Sequence, residues 1–399
     1  MPNLQRLLDW VSRGFDQGRL EFIAPDGRTW HLGCGEPLVR LRLSDASVLW
    51  RIVRNPELRL GETYMDGGWT PENPGSPHDL LPAFEIGLRI AALRSQTLPF
   101  QKLRQRAAEF AERNTPQRAR RNVAHHYDLD NDFYRRFLDA GMHYSCAYFA
   151  DTGMSLEAAQ IAKCEHIARK LQLRPGARVL DIGCGWGGLS LHLARQHGAK
   201  VTGVTLSTAQ HALATERARD AGLEGQVEFR LQDYRDTQGQ FDGIVSVGMF
   251  EHVGRPQYPT FFERVRSLLA PDGVALLHTI GRLTPPGSTN PWIRKYIFPG
   301  GYIPAASEVL AALEPSGLEL ADLEVWRLHY ARTCQEWNRR FQAARGEVAA
   351  RFGERFCRMW EFYLQVSEAG FRWDSLVVFH VQMIRRRDRL PLTRAYLHD

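Results

Sequence analysis

Apolar and polar residues follow different patterns in the two parts of the chain. Up to about residue 95 the pattern is mixed, with an amphipathic stretch at Leu4–Phe15 and short apolar runs at Val39–Leu43 and Ser47–Val53 that predict two strands. From Leu173 onward, short apolar runs alternate regularly with amphipathic stretches. This alternation predicts a parallel, doubly wound α/β sheet.

The α/β part is predicted to contain seven strands. The first five are expected at Arg178–Asp181, Lys200–Thr205, Gln226–Leu231, Gly243–Val247 and Gly273–Thr279. The helices between them are expected at Gly188–Gln196, Ala209–Ala221 and Tyr258–Leu269. A strand near Glu324–Leu328, long helices to about Val366 and a strand at Ser375–Arg385 complete the prediction. We therefore expect a small α+β domain at residues 1–95, a basic helical linker at 96–121 and an α/β domain at 122–399.

Composition is that of an ordinary globular protein. Of the 399 residues, 44% are hydrophobic and 24% are charged, which excludes a wholly disordered, collagen-like or membrane-spanning chain. No apolar run approaches the roughly 20 residues that cross a bilayer, and the first residues carry charges where a signal peptide is apolar. We expect a soluble cytoplasmic protein.

Charge and cysteine usage narrow the function only slightly. The net charge is +6 and only five basic residues are lysines, so the basic surface is dominated by arginine. Arginine suits phospholipid headgroups or nucleic acid, but genome base composition also favours it, so charge alone identifies no partner. The six cysteines contain no Cys-x-x-Cys pair, which is typical of reduced thiols in the cytosol, and we expect no metal site.

A glycine-rich loop follows the first strand of the α/β part. It reads Asp181-Ile-Gly183-Cys-Gly185-Trp-Gly-Gly188 and leads directly into a helix. Glycines at this edge of the sheet allow the backbone to turn sharply and to approach a ligand closely. A dinucleotide site would place an acidic residue at the end of the second strand, but that strand ends in Thr205-Leu206-Ser207, so NAD is disfavoured.

Several longer stretches resemble one enzyme family. They are NVAHHYDLDNDFYRRFLDAGMHYSCAYF at 122–149, FEHVG at 250–254, LHTIG at 277–281 and LHYARTCQEW at 328–337, together with GCGWGG and GVTLSTAQ. The chain from about Asn122 to Arg386 resembles the cyclopropane-fatty-acid synthases, including the mycolic acid cyclopropane synthases. The resemblance implies a class I methyltransferase fold, that is, a Rossmann-like doubly wound sheet of seven strands. Residues 1–95 are more loosely similar to the family's lipid-binding N-terminal domain.

The resemblance implies S-adenosyl-L-methionine as methyl donor. Its binding residues would be Tyr144, Ser145, Asp181, Gly183, Gly185, Thr205, Leu206, Ser207, Gln210, Gln232 and Asp233. Within this set, Asp181 would lie near the methionine amino group, and Asp233 with Gln232 near the adenine. Thr205, Leu206, Ser207 and Gln210 would replace the ribose-binding acid that most class I methyltransferases carry.

The resemblance also implies a bound bicarbonate ion as the catalytic base. Its surroundings, and the catalytic residues, would be Cys146, Glu251, His278, the backbone of Ile280, and Tyr330. An alkene attacks the sulfonium methyl and leaves a carbocation, so the site must exclude water and place negative or π charge nearby. A base must then remove a proton from the new methyl group so that the ring closes.

The expected reaction is methylene transfer to the cis double bond of an unsaturated phospholipid acyl chain. The alternatives are a fatty-acyl C-methyltransferase, which gives methyl-branched or methylenated chains, a small-molecule N-methyltransferase, and a non-enzymatic lipid carrier with a relic methyltransferase domain. We expect no nucleic-acid substrate, because no Asn-Pro-Pro-aromatic motif follows strand four. The protein would associate peripherally with the inner face of the cell membrane, with Arg113, Arg118, Arg120 and Arg121 as a basic patch, and the resemblance allows a homodimer.

Overall fold

The structure of the protein is a computed structural model, which describes residues 4–72, 76–95 and 130–397. The predicted linker at 96–121, including the predicted basic patch of Arg113, Arg118, Arg120 and Arg121, lies outside the described residues.

Among the described residues of the amino-terminal part, there are a small mixed sheet and four helices. In chain order these are α1 (Leu4–Val11), β1 (Gly18–Ile23), β2 (Thr29–Cys34), β3 (Leu38–Leu43), α2 (Ser47–Arg54), α3 (Pro56–Met65), β4 (Trp69–Pro71) and α4 (Leu81–Ser95). The strand order is β2-β1-β3-β4, with β1 and β3 parallel and the other pairs antiparallel.

The segment Ser47–Val53, which was predicted to be a strand, is helical instead. Its valines, isoleucine and tryptophan favour a strand, but Val48, Leu49 and Ile52 are spaced to form one face of a helix, and all three are buried. Asp45 Oδ1 accepts a hydrogen bond from Ser47 N at 2.7 Å and so satisfies an amide of the first turn. Burial of the helical face therefore outweighs strand propensity.

The rest of the described chain contains a regular α/β arrangement together with further helices. Its elements are α5 (Asn131–Arg135), α6 (Leu156–Leu171), β5 (Arg178–Ile182), α7 (Gly188–His197), β6 (Lys200–Thr205), α8 (Thr208–Asp220), β7 (Val227–Leu231), β8 (Phe241–Val247), α9 (Tyr258–Leu268), β9 (Leu269–Arg282), α10 (Pro291–Tyr296), α11 (Ala306–Leu313), β10 (Glu319–Trp326), α12 (His329–Phe352), α13 (Glu354–Trp373) and β11 (Leu376–Ile384).

Seven strands form the large sheet, in the order β10-β11-β9-β8-β5-β6-β7. The predicted doubly wound sheet of seven strands is confirmed, but β11 is antiparallel to both of its neighbours instead of parallel as predicted. The chain proceeds from β5 to β6 and β7 on one side, then to β8 and β9 on the other. Such a reversal of strand order opens a crevice at the carboxyl ends of the strands.

Both faces of this sheet are covered. Along β5, Leu180 and Ile182 pack in a cluster with the α9 residues Phe261 and Phe262, whereas Val179 packs in a second cluster with residues of α6 and α7. Successive side chains of a strand point to opposite faces, so the continuous apolar run of β5 serves two helical layers. This packing fixes the strand ends that carry the glycine-rich loop.

The described residues divide by their contacts into two compact units that are not continuous in sequence. One contains residues 4–95 with 290–297 and 334–375, and the other contains 130–289, 298–333 and 376–397. The predicted domain at 122–399 therefore includes helical segments that are grouped with the amino-terminal unit. Within that unit, Tyr64 donates a hydrogen bond to Glu361 Oε1, and Gln365 Oε1 accepts from Leu80 N at 2.7 Å. These long-range contacts explain why residues 334–375 belong there.

Among the described helices, none combines the length and the apolar character needed to cross a membrane.

Candidate functional site

A cavity lies at the carboxyl ends of β5, β6 and β8, within the α/β unit. It is lined by ten of the eleven residues predicted to bind the methyl donor, namely Tyr144, Ser145, Asp181, Gly183, Gly185, Thr205, Leu206, Gln210, Gln232 and Asp233. Ser207 does not line the cavity, and its hydroxyl instead caps α8 by accepting from Gln210 N at 3.3 Å. The position is the one at which doubly wound sheets bind their ligands.

The glycine-rich loop needs glycine for two different reasons. Gly183 has φ +83°, and a Cβ there would lie 2.8 Å from Met249 Cβ. Gly185 has φ +55°, and a Cβ there would have no heavy atom within 4 Å among those compared. At position 183, both the close contact with Met249 and the left-handed backbone require glycine. At position 185, only the left-handed backbone requires it, and the absence of a side chain leaves open space for a ligand.

Asp181 is a buried carboxyl group at the end of β5. Its Oδ2 accepts a hydrogen bond from Ser190 Oγ at 2.7 Å, and burial raises its pKa to about 6. The positive charge of Lys163 lowers the Asp181 pKa and so partly offsets the effect of burial. Asp181 therefore carries negative charge at neutral pH at the wall of the cavity, as a partner for an ammonium group would require.

Lys163 also lines this cavity, although the sequence analysis did not identify it. The side chain is only 1% exposed, and its Nζ donates a hydrogen bond to Ser145 Oγ at 2.9 Å. Burial lowers its pKa, while Asp139 and Asp181 support its charge. The sequence signal is a lysine four residues from Ala159 and from Ile167, within the apolar stripe of α6. A buried ammonium in that stripe needs a polar partner.

The end of β6 presents hydroxyl and amide groups instead of a carboxylate. Thr205 Oγ1 donates to Gln210 Oε1 at 3.0 Å and accepts from Ser207 N at 3.2 Å. Because Gln210 Oε1 is already engaged, the side chain can offer a ligand its amide N–H groups. Gln210 therefore presents donors where an acid would present acceptors.

Asp233 lies after β7, where its carboxylate is already paired. It accepts two hydrogen bonds from the Arg235 guanidinium, at 2.8 and 2.6 Å, and one from Arg235 N at 3.0 Å. Asp233 is buried, and Gln232 beside it is half-buried. Both line the cavity, and Arg235 orients the Asp233 carboxylate.

Three of the residues predicted to hold bicarbonate lie at the ends of β8 and β9. Glu251 Oε1 accepts from Ile280 N at 2.6 Å, and burial raises the Glu251 pKa to about 7. Glu251 Oε2 is buried without a hydrogen-bond partner among the described residues. His278 precedes Ile280 by two residues on β9, so their side chains leave the same face of the strand.

The other two predicted residues lie where α12 packs against the 145–149 segment. Thr333 Oγ1 accepts from Ala147 N at 3.1 Å, and His329 Nδ1 accepts from Phe149 N at 3.1 Å. Tyr330 lies in the first turn of α12, and Cys146 is the residue before Ala147. Burial raises the pKa of the Cys146 thiol far above neutrality, so it stays protonated and is not a nucleophile.

Two groups of described side chains have spacing that suits a metal ion. Glu165, His192 and His197 form one, but both histidines already pair with Glu165, at 2.7 and 3.2 Å. The second group contains His166, Glu324 and His380, and is described with its neighbour Lys170 below.

Comparisons with known proteins agree with the resemblance noted in the sequence. Residues 114–381 match the family model described as "Mycolic acid cyclopropane synthetase". The chain is 41% identical over 348 residues to the cyclopropane-fatty-acyl-phospholipid synthase of Escherichia coli (strain K12), which covers 86% of this chain and 87% of that protein. It is 37% identical over 356 residues, 84% of this chain and 80% of the relative, to the tuberculostearic acid methyltransferase UfaA1 of Mycobacterium tuberculosis.

A solved structure supports the predicted class I methyltransferase fold. The mycolic acid cyclopropane synthase CmaA1 complexed with SAH and CTAB is 33% identical to the chain. The superposition has a TM-score of 0.63 and covers 66% of this chain and 97% of that structure.

Proposed function

Because this chain belongs to the mycolic acid cyclopropane synthetase family, we propose that it transfers a methylene group from S-adenosylmethionine to the cis double bond of an unsaturated phospholipid acyl chain, which forms a cyclopropane ring. The single observation that carries this proposal is the 41% identity to the Escherichia coli synthase over 86% of the chain. The cavity that gathers ten of the predicted cofactor residues supports it.

The residues of the cavity fit S-adenosylmethionine. When bound, this cofactor supplies a methyl group on a positively charged sulfur. Asp181 would hold the amino group of its methionine part, Gly183 and Gly185 would allow the backbone to approach it, and Gln210 would donate to the ribose hydroxyls. Lys163 offers an ammonium group to a carboxylate at the same wall. The cavity therefore presents opposite charges for the two charged ends of an amino acid.

Glu251, His278 and Tyr330 carry groups that fit bicarbonate, whereas the Ile280 amide, which was predicted to contact the ion, donates to Glu251 in this structure. When bound, this ion supplies a base for the proton lost on ring closure. Ile280 N already occupies Glu251 Oε1, so the partnerless Oε2 is the acceptor that Glu251 can offer to a hydroxyl group. His278 and Tyr330 would donate to the anionic oxygens.

Glu251 has a second role in this proposal. With a pKa near 7, it is substantially ionised at neutral pH despite its burial. Its negative charge would stabilise the positive charge that develops on the acyl chain. The low-dielectric surroundings strengthen this interaction and exclude the water that would trap a carbocation.

The decisive experiment is expression in a bacterial host that makes no cyclopropane lipids, followed by lipid extraction and gas chromatography with mass spectrometry. We expect acyl chains that are heavier by 14 mass units, the mass of one methylene group, and that no longer carry the double bond. The Gly183→Val variant, which should not bind the cofactor, is the matched negative control. Unchanged host lipids with well-expressed wild-type protein would contradict the proposal.

One alternative product has support of its own. The 37% identity to the tuberculostearic acid methyltransferase over 84% of the chain favours a fatty-acyl C-methyltransferase as the second candidate. Both reactions begin with methyl transfer and differ in how the carbocation is resolved. The same lipid analysis separates them, because a methyl-branched or methylenated chain fragments differently from a ring.

We also propose that the enzyme works as a peripheral protein at the inner face of the cell membrane, where its substrate resides. The net charge of +6 would favour anionic lipid surfaces. A homodimer is compatible with this arrangement, and light scattering on the purified protein would test for it.

A further inference from the structure

Two buried histidines form a direct pair behind the proposed bicarbonate site. His278 on β9 and His380 on β11 lie opposite each other in the antiparallel register. His278 Nδ1 lies 2.7 Å from His380 Nε2, and the side chains belong to residues that are 1% and 0% exposed. The sequence analysis assigned His380 no role.

The surroundings of the pair keep both rings in place. The His380 ring packs on Trp326 with the ring centres 3.9 Å apart, and the His278 ring meets the same indole edge-on at 5.4 Å. Burial, together with Lys170 and Lys163, lowers the pKa of both histidines well below the usual range. Both are therefore neutral, and one ring donates a single proton to the other.

The two directions of this hydrogen bond differ in what they leave unsatisfied. His380 Nδ1 is buried and has no partner among the described residues. If His278 donated, His380 would carry its proton on Nδ1 as an orphaned donor, which is rare in protein interiors. If His380 donates from Nε2, its Nδ1 is unprotonated, and the lone pair on that atom is stabilised by the positive charge of Lys170. The second direction is therefore favoured.

A metal ion is a poor explanation for the cluster of His166, Glu324 and His380. His166 and Glu324 lie near His380 with metal-ligand spacing, but Lys170 Nζ is 2.7 Å from Glu324 Oε2 and His166 Nε2 is 2.7 Å from the same oxygen. The fully buried ammonium group already neutralises that carboxylate. A divalent cation beside it would meet strong repulsion.

We propose that His380 is a positioning residue, which donates from Nε2 to His278 Nδ1 and thereby holds His278 in the tautomer that carries its proton on Nε2. In that tautomer His278 presents an N–H donor, as recognition of an anion requires. That this N–H group binds bicarbonate rests on the proposed function, whereas the tautomer of His278 does not depend on that function.

Nuclear magnetic resonance tests the tautomer without substrate or bicarbonate. With ¹⁵N-labelled histidine, proton–nitrogen correlations of the intact protein show which nitrogen of His278 is protonated, and the His278→Ala variant assigns the signals. We expect the proton on Nε2. A proton on Nδ1 would overturn the proposal, whatever the enzyme's activity.

Two variants at position 380 test the consequence for activity. Glutamine places an amide N–H₂ close to the position of His Nε2, so His380→Gln should retain most of the activity. His380→Leu should lose about 10- to 100-fold, by analogy with the loss seen when the hydrogen-bond partner of a metal-binding histidine is removed. His380→Leu should also need more bicarbonate for half-maximal rate, with unchanged binding of S-adenosylhomocysteine.

The outcomes separate the two hypotheses. Equal activity and bicarbonate requirement in wild type and His380→Leu would overturn the positioning role, and so would an equal loss in His380→Gln and His380→Leu with native melting temperatures. A wild type that is fully active without bicarbonate would instead contradict the proposed base, and the resonance experiment would still decide the tautomer.

Discussion

Lys163 Nζ donates to Ser145 Oγ at 2.9 Å inside a cavity whose wall also contains Asp181. A lysine with 1% exposure is costly unless its charge is used. The proposed cofactor has a carboxylate in its amino-acid part, so the cavity can supply both charges that this part requires. The pair thus links α6, a helix that the sequence analysis did not predict, to the proposed site of binding.

Replacing Lys163 should weaken binding of the amino-acid part. We expect Lys163→Met to reduce the affinity for S-adenosylhomocysteine by about 10-fold or more, because hydrogen bonds to charged groups contribute about 1.5–3 kcal/mol. Methylthioadenosine, which lacks the amino-acid part, is the control ligand and should bind both proteins alike. Calorimetry that showed the same loss for both ligands would point to a general disruption of the cavity.

Substitution of the loop glycines should abolish cofactor binding. Gly185→Val forces a β-branched residue into φ +55° and fills open space in the cavity, and Gly183→Val also collides with Met249. Gly222 has φ +65° with no heavy atom within 4 Å of its Cβ position and lies outside the cavity lining, so Gly222→Val is a matched control for backbone strain. Binding retained in Gly185→Val, or lost equally in Gly222→Val, would contradict the assigned loop.

Glu251 should destabilise the protein as the pH rises. Its pKa is about 7 in the folded state and 4.5 in the reference state, so the folded state binds more protons between these values and stability falls with increasing pH. Relative to Glu251→Gln, the wild type should lose about 3 kcal/mol between pH 4 and pH 8, at about 1.4 kcal/mol per pKa unit. Urea unfolding of both proteins at several pH values measures this difference. A pH-independent difference would show that Glu251 titrates normally.

The residues at the ends of β8 and β9 should affect chemistry more than binding. Glu251→Gln removes a charge and an acceptor, and it should lower the rate about 100- to 1000-fold, as is typical for loss of one preorganised electrostatic contact. His278→Ala should cause a comparable loss, while S-adenosylhomocysteine affinity stays native in both. His192→Ala, in which a histidine paired with Glu165 is removed, is the control. Full activity of both variants, with no dependence on bicarbonate, would refute the proposed base.

Association with vesicles should depend on charge and salt. If Arg113, Arg118, Arg120 and Arg121 contact anionic lipid, binding should decrease as salt increases, because exposed charges are screened beyond about 10 Å at 0.1 M. Sedimentation with anionic and neutral vesicles, at low and high salt, measures this. Replacing the four arginines with glutamine should reduce the binding to anionic vesicles. Equal binding to both vesicle types at every salt concentration would contradict the basic patch.

The pattern of the sequence was enough to predict the large sheet, whereas the candidate residues of the cavity came from the glycine-rich loop and the family resemblance. The seven strands of the α/β part are short apolar runs, and such runs predict buried strands from the local pattern alone. In a parallel sheet, the carboxyl ends of β5 and β6 lie at the same edge. Asp181, Gly183, Gly185, Thr205 and Gln210 line one cavity, whereas their assignment to the methyl donor is what the family resemblance implies. The family resemblance supplied the residues that lie far apart in sequence, such as Tyr144 and Ser145.

Tertiary structure decided the features that depend on distant partners. Ser47–Arg54 is a helix because its apolar face is buried, and residues 334–375 join the amino-terminal unit through contacts with segments nearly 300 residues away. Lys163 and His380 are the clearest cases at the site. In the local pattern, a lysine or a histidine among apolar residues is only an exception. Lys163 acquires a chemical role from its contact with Ser145, and His380 acquires one from its contact with His278. The reason is physical: hydrogen bonds between side chains depend on strand register and helix packing, which the local pattern of a chain does not contain.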